Sequence, residues 1–296
     1  LYLLQLASAE RRDARRTLRA PKIPYLAGPI KDFVTRLPFV LTDAQRRASW
    51  QILQDLEREQ PMHRLLNGDV GSGKTMVAAL AALSVAKSDG QTALLTPTEF
   101  LARQHFATFG KIFSAEPSMR LALVTGTARE LLTQGVVESI KKKEFETLLR
   151  ENFISCIIGT HVLLEDWVRL PALALAIVDE QHRFGVRQRE ELARRRGDQI
   201  TPHFLSMTAT PIPRTLALTA YGDLSISVLD EMPPGRAPIT TRVLARESGF
   251  AALGAALARG ERGYFVCPLI DPSDALGVRS IQETHALLAA RFKNYV

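Results

Sequence analysis

The sequence predicts an α/β fold built on a doubly wound parallel sheet with helices on both faces. Three observations carry that prediction. Short apolar runs alternate with longer segments of helical period, the pattern of strands buried on both sides. A glycine-rich run, Gly68-Asp69-Val70-Gly71-Ser72-Gly73-Lys74-Thr75, joins one such strand to a helix. A later apolar run ends in Asp179-Glu180, which puts acidic groups at a strand's carboxyl end.

The elements follow in order. Residues 1–20 hold leucines and then Arg11, Arg12, Arg15, Arg16 and Arg19, and read as a basic helix ended near Pro21 and Pro24. Residues 21–38 contain prolines and read as a linker. A helix begins after Leu41, with Thr42 or Asp43 as its N-cap. His63-Arg64-Leu65-Leu66-Asn67 reads as a buried strand, and residues 75–87 as an Ala/Leu-rich helix with Gly90 just past its end. Further strands are predicted at 91–96, 121–124, 154–158, 173–178 and 202–207, and helices at 100–113 and 128–150. A composition break at residues 231–238, rich in proline, reads as an interdomain linker. Beyond it, 263–270 reads as a buried strand and 280–292 as a helix.

Composition sets the bounds. The 296 residues suffice for one large or two ordinary domains, and a hydrophobic share of 46% can fill a sizeable core. A net charge of +7 favours a polyanionic partner, with a solvated basic surface as the other reading. Cys156 and Cys267 sit in apolar runs without metal-ligand spacing and read as reduced core residues. No apolar stretch reaches membrane-spanning length. Residues 1–9 are apolar but lack a preceding positive region, so no signal peptide is expected. The chain starts at Leu1 and reads as a fragment. Three segments result: 1–36 a basic connector, 37–232 the main domain, and 233–296 a linker and the start of a second, truncated α/β lobe.

The glycine-rich run fits G-x-x-x-x-G-K-[ST], and each position has a physical reason. Gly68, Gly71 and Gly73 let the backbone turn sharply and approach a ligand closely. The main-chain N–H groups of Asp69, Val70, Ser72 and their neighbours then form a nest for anions, reinforced by the positive end of the next helix. Lys74 is placed to reach the outer phosphates of a nucleoside triphosphate, and Thr75 to ligate magnesium. Asp179 is the expected second holder of the metal, and Glu180 the group that orients an attacking water. Together they predict a protein that binds ATP or GTP with magnesium and hydrolyses it.

The run Asp179-Glu180-Gln181-His182 resembles the second motif of superfamily-2 helicases. That resemblance implies a RecA-like core, ATP and Mg2+ as cofactors, and His182 among the catalytic residues. Thr208-Ala209-Thr210 resembles the family's third motif; with Gln181 it would couple nucleotide state to nucleic-acid grip. Leu41-Thr42-Asp43-Ala44-Gln45 resembles the Q motif, in which Gln45 senses adenine and Phe39 stacks on the base. Longer blocks at 66–75, 178–186, 207–215, 221–224, 233–236 and 266–270 resemble the RecG family of bacterial branch-migration and fork-reversal helicases. The resemblance is weak over 127–153.

Within that frame Thr96, Pro97 and Thr98, then Thr125 and Gly126, then Gly159, Thr160 and His161 match motifs that face nucleic acid. Such contacts go to the phosphate backbone and carry no sequence preference. Arg183, Arg187, Arg189, Arg194, Arg195 and Arg196 form a basic stretch that reads equally as a DNA-facing or a solvated helix face. The resemblance implies branched DNA (forks and junctions) as partner, single-strand binding protein as a second partner, a monomer, and work at the nucleoid in the bacterial cytoplasm, away from membranes. Two alternatives stand beside it. The transcription-repair coupling translocase Mfd shares residues 183–186 and 212–215, but usually has Phe at the place of Ser72 and Glu at that of Gln181. A degenerate, purely binding lobe is the other, opposed by the intact Lys74, Thr75, Asp179 and Glu180. The late arginine motif of the family, Gln-x-x-Gly-Arg-x-x-Arg, does not follow Pro238, so the chain alone is expected to hydrolyse nucleotide poorly.

Overall fold

A parallel strand buried on both faces needs helices above and below it, and the chain supplies them in alternation. The computed structural model describes residues 17–180, 191–192, 194–198, 200–210, 224–235, 239–267 and 281–293. The elements are α1 (Ala27–Thr35), α2 (Asp43–Leu56), β1 (His63–Gly68), α3 (Lys74–Ala86), β2 (Gln91–Leu95), α4 (Glu99–Ile112) and β3 (Leu121–Val124). There follow β4 (Arg129–Thr133), β5 (Val136–Ser139), α5 (Lys142–Arg150), β6 (Cys156–Gly159), a 3-10 turn (His161–Leu164), β7 (Leu173–Asp179), β8 (His203–Thr208) and β9 (Ser225–Leu229). Two further helices, α6 (Arg246–Ala258) and α7 (Ile281–Arg291), come after.

The strands form one sheet in the order β5-β4-β3-β6-β2-β7-β8-β1-β9. From β3 to β9 all neighbours in this order are parallel; at the other edge the β3–β4 and β4–β5 pairs are antiparallel. Alternate residues of each strand enter two separate cores. Leu66, Leu94, Leu123, Ile158, Ile177 and Leu205 face the side covered by α1 to α4. Ala93, Leu95, Val124, Ile157, Val178 and Phe204 face the side where Phe145 and Leu149 of α5 pack. α3 is buried over Met76 to Val85 on all sides, which explains why its sequence is apolar all round rather than on one face.

Several sequence expectations need correction. The linker expected at 21–38 contains α1, whose Ile30 and Phe33 enter the core and whose Phe33 ring meets Phe113 at 5.6 Å. Pro29 does not prevent this, because it occupies the first turn, where backbone N–H groups have no helical partner anyway. The helix expected at 128–150 is a hairpin followed by the short α5. Gln134 and Gly135 have φ of 51° and 82°, the left-handed pair of a two-residue hairpin turn. The strand expected at 263–270 is not formed over its described part, 263–267, where Tyr264 and Val266 lie exposed. A strand there would need a paired neighbour, and the described residues of that region provide none. Cys267 is accordingly half-buried, whereas Cys156 is a core residue whose thiol burial pushes up to about 12. The basic helix expected at 1–20 lies mostly outside the described residues, and 17–20 are not helical. β9 and α6 were not anticipated.

The chain divides into two compact units, Leu1–Arg236 and Ala237–Val296. In the smaller one Arg291 of α7 pairs with Glu247 of α6 at 2.8 Å and lies over the Phe250 ring. Among the described residues, no helix is long and apolar enough to cross a membrane.

Candidate functional site

Six of the runs singled out above follow the carboxyl end of a parallel strand: 68–75 after β1, 96–98 after β2, 125–126 after β3, 159–161 at β6, 179–180 at β7 and 208–210 at β8; the run 41–45 instead opens α2. β8 lies between β1 and β7, with Met207 beside both Leu66 and Asp179. The glycine loop and the acidic pair therefore stand two strand spacings apart, about 10 Å.

The loop is shaped by exclusion of side chains. Gly71 and Gly73 have φ of 81° and 89°, open to glycine and strained for other residues. A Cβ on Gly68 would come within 2.8 Å of Leu229 Cβ, so β9 packs directly under the loop. A Cβ on Gly73 would collide with the Gln45 carboxamide. Gln45 is buried and closes a capping box with Thr42: its N–H donates to Thr42 Oγ1 at 3.2 Å, and its Oε1 accepts from the Thr42 N–H at 3.0 Å. Its Nε2 donates to the Ser72 carbonyl at 2.8 Å. Thus the first turn of α2 is latched to the loop. The Ser72 hydroxyl is buried without a partner. Lys74 Nζ donates to the carbonyls of Gly68 at 2.7 Å and Asp69 at 3.1 Å. Burial lowers the Lys74 pKa, against the opposing pull of Asp179, Glu180 and Asp69. Asp69 and Val70 are exposed, and Thr75 lies half-buried in the first turn of α3.

At the acidic end Asp179 is buried, and Glu180 adopts φ 55°, left-handed for a residue with a side chain. The Glu180 N–H donates to Asp179 Oδ1 at 3.1 Å. The other oxygen, Oδ2, lies 2.8 Å from His105 Nε2 on α4. On β8's end Thr208 and Thr210 share a hydroxyl contact of 2.8 Å, with the half-buried Ala209 between them.

The remaining loops are tightly self-bonded. The buried Thr96 hydroxyl donates to the carbonyls of Thr98 and Gly159, and buried Thr125 accepts from the N–H groups of Thr127 and Ala128. Thr160 is also buried, and a Cβ on Gly159 would strike the backbone of Val124. Thr98 caps α4, accepting from Leu101 N–H at 3.3 Å. Thr98, Gly126 and His161 are exposed and Pro97 half-exposed. Phe39 is half-exposed and lines a cleft of about 210 Å3 with Phe33, Arg36, Leu37, Lys111 and Ile112. Gln181 and His182 lie outside the described residues, as do Arg183, Arg187 and Arg189.

Residues 42–219 match the family model described as DEAD/DEAH box helicase. The chain belongs to the DEAD/DEAH box helicase family. Within helicases it is similar to an ATP-dependent DNA helicase RecG of Aquifex aeolicus, 41% identical over 288 residues, covering 96% of this chain and 35% of the relative. The RecG of Streptococcus pneumoniae is 45% identical over 247 residues, covering 82% and 35%. The chain thus spans about a third of the length of the curated relatives it matches. A solved structure described as RecG bound to a three-way DNA junction superposes with a TM-score of 0.79 at 33% identity, covering 98% of this chain and 37% of that one. The helicase MrfA bound to DNA, at 18% identity and a TM-score of 0.55, shares the fold. The fold is that of a RecA-like helicase core.

Two site neighbours of this helicase chain escaped the sequence reading. His105 occupies a position in the buried stripe of α4 formed with Ala102, Phe106 and Phe109, so a polar residue amid apolar spacing was the available signal. Glu231 Oε2 accepts from the Ala44 N–H at 3.1 Å, at the start of α2, and Arg47 reaches Asp230 and Glu231. No local pattern announces those contacts.

Proposed function

We propose that this chain carries the nucleotide-binding lobe of an ATP-dependent DNA helicase acting on branched DNA, in fork reversal and junction branch migration. One observation supports it above the others: a G-x-x-x-x-G-K-[ST] loop and a strand-end Asp-Glu meet across β8 in a chain similar to RecG along nearly its whole length. The RecG relatives favour this reading over transcription-repair coupling.

The residues present suit a triphosphate with magnesium. The glycine cradle leaves room for an anion beside the unpartnered Ser72 hydroxyl and the Lys74 ammonium, whose loop-carbonyl partners a phosphate can replace. Thr75 and Asp179 are hard oxygen ligands, and magnesium takes few such protein ligands beside phosphate and water. Bound ATP and Mg2+ would supply the phosphoryl group and the charge that offsets its oxygens. In this reading Lys74 leaves its loop carbonyls for the outer phosphates, Phe39 stacks on the base, and Gln45 reaches the base by exchanging its Ser72 contact for it. Glu180 orients a water, with His182 beside it. Gln181, Thr208, Ala209 and Thr210 pass the nucleotide state to the DNA-facing loops. There the exposed Thr98, Gly126 and His161, with main-chain N–H groups, meet the phosphate backbone, while the buried Thr96, Thr125, Thr160 and Gly159 fix loop shape.

By this account residues 1–36 lead into the ATP-binding domain of 37–232, with α1 packed into that domain's core, and 233–296 form a linker and part of a second lobe. Magnesium as the metal, a monomeric state, single-strand binding protein as a partner and a nucleoid location rest on the RecG resemblance. The test is Lys74→Ala in the full-length protein. ATPase and unwinding should drop on the order of a hundredfold or more, with junction binding retained; undiminished ATPase would remove the assignment.

A further inference from the structure

The contact between α4 and β7 has a use beyond packing. His105 and Asp179 are both 8% exposed, and their Nε2 and Oδ2 atoms are 2.8 Å apart. A carboxylate oxygen only accepts, so the imidazole Nε2 bears the hydrogen and donates it. Oδ1 receives the Glu180 N–H at 3.1 Å. The carboxyl group is therefore clamped at both oxygens, once by its own chain and once from a separate helix. Each oxygen keeps a second lone pair. A carboxylate fixed in this way loses little freedom when it takes a cation, and its outer partner sets how well it does so.

We propose that His105 is a positioning residue for the metal end of the nucleotide site, holding Asp179 in the orientation that receives magnesium. The proposal rests on the nucleotide reading above. A His that merely satisfied a buried carboxylate would affect stability alone; a positioning His also sets the magnesium dependence of nucleotide binding.

The experiment measures binding of a fluorescent ATP analogue to the 296-residue chain, with magnesium and with EDTA, and thermal melting in parallel. Three forms are compared: wild type, His105→Leu and His105→Gln, the last keeping a side-chain N–H donor near the Nε2 position. We expect His105→Leu to reduce the ratio of affinities with and without magnesium about tenfold, and His105→Gln to recover most of that ratio. Equal ratios in wild type and His105→Leu would overturn the proposal. So would a ratio in His105→Gln as low as in His105→Leu while both melt as wild type does. If His105→Leu does not fold, the comparison of His105→Gln with wild type decides: a ratio within about threefold of wild type supports the donor role, and a lower one refutes it. A wild-type chain that binds the analogue in neither condition would instead sink the nucleotide reading, and this inference with it.

Discussion

Gly73 shows how much one residue can carry. It is the N-cap of α3, its φ is 89°, and the space a Cβ would need is taken by the Gln45 carboxamide. Gly73→Ala should cost about 1–2 kcal/mol of stability through the left-handed conformation. It should also push Gln45 off the Ser72 carbonyl and weaken nucleotide binding; a denaturant series and a binding titration check the two effects. The loop was legible in sequence because all its chemistry is local: glycines, lysine and threonine at fixed spacing. His105 was not, because its partner Asp179 lies 74 positions away and only the fold brings them together. Thr96, Thr125 and Thr160 show the same limit. Their hydroxyls suit phosphate contact by chemistry, yet burial commits them to loop structure.

Among the elements, the parallel core was readable and its margins were not. Strands such as β2 and β7 are apolar on both faces, and a segment that can only be buried leaves few choices. The hairpin β4–β5 reads ambiguously, since Leu131 and Leu132 fit either period and the Gln134-Gly135 turn decides. β9 was missed because Ser225 and Ser227 dilute its apolar character, although Ser227 is buried. Its hydroxyl accepts from Arg64 of β1 at 2.8 Å and donates to Gln51 of α2 at 2.6 Å. Arg64 also donates twice to Asp55, at 2.9 and 2.7 Å, within the same buried network. Asp55→Ala leaves that guanidinium buried without its carboxylate. The expected loss is about 3–5 kcal/mol, read from urea unfolding. Asp55→Ala with Arg64→Met should recover part of it, since the stranded charge is then gone.

Across the larger unit, backbone and side-chain bonds tie the N-terminal segment to the end of α2 and to β8 and the residues leading into it. Ala20 N–H donates to Glu59 O, Ile23 N–H to Leu56 O, and Thr201 N–H to Arg19 O. His203 on β8 completes this seam. Its Nδ1 accepts from the Met62 N–H at 3.0 Å, so Nε2 holds the hydrogen and donates to the Pro21 carbonyl at 2.7 Å. Burial lowers the His203 pKa below its usual 6.5, with the Pro21 carbonyl and Asp55 opposing. The neutral ring is therefore the form that folds. Its contribution is complete above pH 6.5 and declines as acid drives the pH down toward the lowered folded value. Stability profiles from about pH 7.5 to about pH 5 should show a steeper acid decline in wild type than in His203→Gln. Parallel profiles would refute the assignment.

By itself the chain determined the parallel α/β core, the phosphate loop, the acidic strand end and the family, because each is written in contiguous residues whose backbone or charge requirements are local. Tertiary structure decided which hydroxyls stay accessible, that Gln45 braces the loop, that Asp179 is gripped by α4, and that 263–267 pairs with no strand among the described residues. Those outcomes depend on groups far apart in sequence competing for the same buried space and the same hydrogen bonds, and no local pattern records who wins.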